Sequence, residues 1–359
     1  MIRLAWRQFR TQALVAYAAL AVVAVVLAIT GPRLAHDYAT AQATCQRSSD
    51  CGSVLAQFVA DYHAVQVALN SLILVLPVLI GIFWGAPLVA RELETGTFRM
   101  AWTQSVTRDR WIITKLAVAG LTGLIVTGLL SLMVTWWSSP VDRVNLNRLT
   151  PAMFGERGLA PVGYAALAFA LGVLAGVLVR RTLPAMVVTL VAFIGARLAM
   201  TYALRPRLFS PLMMVLPPRS LAGAGGGLSG TPAAADWVLT DQTLDRAGQV
   251  IGTNGGIGPN GGIGFHYQGG VLSLIGVGSC PGHPALPAAS AASRQAGSGG
   301  QVIAQRVLQS CLERYDIHQA ITYQPISRYW PLQWSEMGIF LAVAVLAAVV
   351  CVWRVRRHA

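Results

Sequence analysis

The sequence predicts an all-α membrane protein of six transmembrane helices, with both termini inside and an irregular extracytoplasmic segment between helices 5 and 6. Three observations predict it. Stretches 13–29, 64–90, 112–137, 162–179, 183–204 and 337–353 are apolar on every face, for about the 20 residues that a hydrocarbon core demands. The chain is 55% hydrophobic, only 11% charged, and has a mean hydropathy of +0.57, a membrane composition. Its net charge of +13 lies beside the spans rather than on one soluble face, which favours membrane topology over nucleic-acid binding.

The charges also set an orientation. Counted with the N-terminus in the cytoplasm, the inside segments hold thirteen basic residues against Glu92, Glu94 and Asp109, while the two shorter outside loops hold five of each sign. That asymmetry is the positive-inside pattern. No small-residue cleavage site follows the first span, so it reads as a retained helix. Residues 1–12 place Ile2, Trp6 and Phe9 on one helical face and Arg3, Arg7 and Arg10 on another. Such a helix is expected in the headgroup region, with its arginines toward anionic membrane lipid. Transmembrane helices 1–5 then occupy 13–204.

In the second span Pro77 and Pro87 predict a kink. Trp136 and Trp137 close the third span at an expected interface. Gly120, Gly123, Gly128, Gly172 and Gly176 let helix backbones approach closely in lipid. Residues 205–336 form the one sizeable extramembrane segment. Its Gly-rich part, 223–300, reads as loops and short irregular strands, and 302–318 has a helical pattern. The aromatic run 323–334 then leads into the sixth span and the basic tail, 337–359. Cys45 and Cys51 share the first outside loop, Cys280 and Cys311 the last. An even number in each fits disulfides in an oxidising compartment. The alternative metal reading of Cys280 and His283 rests on a single pair.

The chemically informative segment is the loop 91–111 between the second and third spans. Arg91, Glu92 and Glu94 continue off the span, Gly96 allows a turn, and 98–104 can form a short helix. Thr107 can cap the next helix. Phe98, Met100 and Trp102 are large apolar residues ringed by charge, as in a protein–protein contact. A helix lying flat on the inner leaflet is the plainer alternative.

With its six-span layout, Trp6–Phe9, the Arg-Glu-x-Glu-x-Gly stretch and the pre-span run 323–334, the chain resembles the permease subunits of type-2 ABC exporters. These have the ABCG-like, type V exporter fold; the likeness is nearest to actinobacterial forms with a large outside segment. The resemblance covers most of the chain but not 223–300. It implies that the loop is a coupling helix docking into a separate ATPase, a role carried onto Glu92, Glu94, Gly96, Phe98 and Arg99. Arg91, Met100 and Trp102 flank these positions. It further implies two ATPase copies holding ATP and Mg, a second permease copy, and an amphiphilic or drug-like cargo moved outward.

The sole lysine, Lys115, lies in no phosphate-cradling G-x-x-x-x-G-K-[ST] loop, and neither His-Glu-x-x-His nor Gly-x-Ser-x-Gly occurs. The chain is therefore expected to hold no cofactor and to catalyse nothing itself. Within the six stretches there is no carboxylate for ion coupling. Arg197 and Asn70 are the polar candidates for a substrate path, with a packing role as the alternative for Arg197. The rival reading of the whole chain is a membrane-anchored receptor or assembly scaffold acting through 205–336.

Overall fold

The computed structural model describes residues 2–47, 50–96, 108–145, 148–216, 235–244, 246–248, 250–253 and 318–358. It divides into two compact units, Met1–Leu208 with Tyr329–Ala359, and Phe209–Arg328. In the first unit six helices are long and apolar enough to cross a membrane.

Helix α1 (Ile2–Cys45) is one continuous element. Residues 2–12, expected as a surface helix, are thus the first turns of this same element. No glycine or proline separates Arg10 from Ala13, and buried Phe9 and Ala13 already pack in the core of the bundle. Asp50 opens α2 (Cys51–Leu79) by accepting the Ser53 amide at 3.2 Å. A π-helical turn, Ile80–Gly85, joins α2 to α3 (Ala86–Thr95). Pro87 has no N–H to offer the preceding turn. The widened turn absorbs this, with the Ala86 amide reaching back five residues to the Gly81 carbonyl. The expected break thus takes the form of a π-turn.

The third span is α4 (Arg108–Asn145). Its adjacent Trp136 and Trp137 face apart: Trp136 is exposed, whereas Trp137 is buried and donates to the Thr30 hydroxyl at 3.0 Å. After the short α5 (Pro151–Phe154) comes α6 (Ala160–Val179), with 15 buried residues among its 20. It is the axis of the bundle, touching α9 and the second, third and fifth spans. The fifth span runs from α7 (Thr182–Leu198) through a second π-turn (Ala199–Leu204) into α8 (Arg205–Leu208). The sixth helix, α9 (Tyr329–His358), begins earlier than the apolar run that announced it at 337.

The second unit contains a four-stranded antiparallel sheet in the order β1-β4-β2-β3: β1 (Leu212–Leu216), β2 (Trp237–Leu244), β3 (Val250–Thr253) and β4 (His318–Gln324). Regular structure therefore exists in the segment expected to be irregular. Central β4 buries Ala320 and Ile321, and its Gln319 side chain donates to the Asp241 carboxylate. The expected helix 302–318 lies outside the described residues except His318, which opens β4.

Candidate functional site

Two charged clusters lie in the first unit. The first surrounds α3. Glu92 and Glu94 are two residues apart, about 200° around a helix, so they reach different neighbours. Glu92 forms an ion pair with Lys115 of α4, a lysine that is buried and stacked 4.7 Å over the Trp111 ring. Glu94 accepts the Thr182 amide at 3.0 Å and the Thr182 hydroxyl at 2.8 Å. That amide is one of the first donors of α7, which no carbonyl within the helix can satisfy. Both carboxylates expected to face a partner protein are thus engaged within the chain, bracing the end of the second span against the third and fifth. Arg91 is exposed. Gly96, at φ 72°, closes α3 in the left-handed conformation that glycine adopts without strain. Phe98, Arg99, Met100, Trp102 and Thr107 lie outside the described residues.

The second cluster contains the two residues expected on a substrate path. Asn70 of α2 accepts from Arg157 Nη1 at 2.7 Å, and Arg157 Nε donates to Asp142 at 3.4 Å. Arg197 packs its guanidinium 4.1 Å over the Tyr164 ring and against Gly155. Tyr164 donates to Glu336, which also receives Arg205 Nε at 2.8 Å and Nη2 at 2.9 Å. Arg205 stacks 4.3 Å over Phe154. Gln333 completes the set, accepting the Leu159 and Ala160 amides at 3.0 and 2.8 Å and donating to the Phe154 carbonyl. Asn70 and Arg197 therefore belong to adjoining sets and do not contact each other directly. Burial pushes the Glu156 carboxyl above its ordinary range; Asp142 adds to this, while Arg157 and Arg197 oppose it.

Sequence reasoning missed Asp142, Arg157, Arg205, Gln333 and Glu336. The available signal was an Arg-Pro-Arg directly after one apolar run and a lone Glu directly before another. Asn70 and Glu92 stand 22 residues apart along one span, about 33 Å at helical rise, so the clusters bracket roughly a hydrocarbon thickness. Among the described residues no group of three His, Cys, Asp or Glu side chains gathers to hold a metal. Cys45 and Cys51 are disulfide-bonded, with Cα atoms 4.5 Å apart, and Cys351 is free and buried. Cys280 and Cys311 lie outside the described residues.

A family model described as ABC-2 membrane transporter related matches residues 17–205, just over half of the chain. No curated protein and no solved structure matches it.

Proposed function

The chain belongs to the ABC-2 membrane transporter related family, and on that premise we propose that it is the permease half of an exporter. A permease of an ABC transporter carries no ATP-binding site of its own, and its family implies an ABC ATPase as partner. In the reading we favour, two copies of this chain assemble with two ATPase subunits that hold ATP and Mg. Both termini and the segment 91–111 face the cytoplasm, and an amphiphilic cargo leaves the cell.

The observation that supports the coupling role is the bracing of α3. A push on 91–111 passes through Glu92 and Lys115 into the third span, and through Glu94 and Thr182 into the fifth. Closure of an ATPase dimer thereby biases the bundle between two arrangements. Phe98, Arg99, Met100 and Trp102 are the docking anchors in this scheme.

The test is purification of the full chain from its native membrane, as wild type and as Phe98→Ala with Trp102→Ala. An ATPase subunit should accompany the wild type and be lost, or hydrolyse without transport, in the double variant. Full transport by the purified chain alone, or labelling of 97–107 from outside intact cells, overturns the proposal.

A further inference from the structure

A groove of about 460 Å³ opens between α1, the first π-turn, α3 and α4, within the range of about 300–1,000 Å³ typical of small-molecule sites. Phe9, Phe83, Trp84 and Leu88 form its apolar wall. Phe9 stands edge-on to Trp84, with ring centroids 4.9 Å apart, and Phe83 is 54% exposed, leaving the wall accessible. The polar end carries Arg91, Glu92 and Lys115. Glu92 takes up the charge of buried Lys115. Arg91 is exposed and forms no ion pair among the described residues. Among the described residues the mouth thus holds one guanidinium without an ion-pair partner, where a span of hydrocarbon thickness ends.

An apolar trough ending in a planar cation suits a molecule with a hydrocarbon tail and an anionic head. A phosphodiester accepts two parallel N–H bonds from a guanidinium, and basic pockets between transmembrane helices recognise acidic head groups in this way. A zwitterionic head brings an ammonium that the same guanidinium repels. We propose that this groove holds one acidic membrane phospholipid, with an acyl chain along Phe83, Trp84 and Leu88 and the phosphate on Arg91. The lipid then fixes the end of α3 where Glu92 meets Lys115, so membrane charge tunes the element from which 91–111 departs. Only this tuning rests on the transporter reading; the binding does not.

The test is native mass spectrometry of the full-length chain, offered phosphatidylglycerol and phosphatidylcholine in equal amounts. One phosphatidylglycerol should be retained over phosphatidylcholine by about ten-fold or more, the worth of a charge-assisted pair. Arg91→Gln should abolish the preference, Arg91→Lys should keep part of it, and Phe83→Ala should weaken retention of both lipids. Equal retention by the wild type, or a preference unchanged in Arg91→Gln, overturns the proposal. So does a preference removed by replacing Arg3, Arg7 and Arg10 with glutamine, which assigns it to the N-terminal arginines. Complete displacement by inorganic phosphate also overturns it, since only an anion site would remain. Lipid preference without any associated ATPase would sink the transporter reading and leave this one standing.

Discussion

Arg205 and Glu336 are both 0% exposed and hold each other across the fifth and sixth helices. Removing one member of a buried pair leaves an uncompensated charge, at a cost of about 3–5 kcal/mol. Glu336→Gln should therefore lower the melting temperature of the detergent-purified chain well beyond the Arg205→Met, Glu336→Leu double variant; equal losses would show that the pair itself is what stabilises. Glu156 supplies a pH dependence of known sign. Burial raises its folded-state pKa above the ordinary 4.5, so the fold prefers the protonated form. Its contribution is complete below that ordinary value and is lost as pH rises through the raised one. Glu156→Gln should flatten stability against pH in that window, and an unchanged slope would count against the assignment. These residues also mark where the sequence was hard to read. The apolar runs stop at 204 and resume at 337, each one residue short of a member of the pair. Hydropathy locates greasy surface, whereas a helix continues wherever its backbone and polar side chains find partners, as Gln333 and Glu336 do.

Among the elements, the contact between the second and fourth spans is made by glycines spaced four apart on both sides, Gly81 and Gly85 against Gly172 and Gly176. A Cβ on Gly85 would stand 2.6 Å from the Phe169 carbonyl oxygen, one on Gly176 2.7 Å from that of Ala86, and one on Gly172 would collide with the Gly81 carbonyl. Close approach of this kind replaces the hydrophobic drive that lipid cannot supply. Gly172→Ala should destabilise by about 1–3 kcal/mol through overpacking, measurable by thermal unfolding, with Gly195→Ala as a control at a glycine with open space around it. The small residues of the fourth span were legible as packing sites. Their partners were not, because Gly81 and Gly85 lie in a π-turn, whose side-chain angles a 3.6-residue period does not describe. The number of spans was legible throughout, since each apolar run is long. The sheet was not, because β1, β2, β3 and β4 come from distant parts of a segment dominated by glycine, and pairing between them is set by contacts that local pattern does not encode.

At the scale of the molecule, the braces on Glu92 and Glu94 bear on the proposed coupling. Charge reversal at both positions should uncouple ATP hydrolysis from transport, and restoring Glu92 alone should return the link to the third span; normal coupling in the double reversal would remove these carboxylates from the pathway. The glycine seam limits what such a stroke can do. Two backbones in direct contact have no side chains between them to reshuffle, so they pivot as one hinge pin while the outer helices swing. Spin labels flanking the seam should keep their separation through a nucleotide cycle, and labels on the first and fifth helices should not. A machine with its axle cast in glycine can tolerate much redesign of its rim and almost none at its bearing.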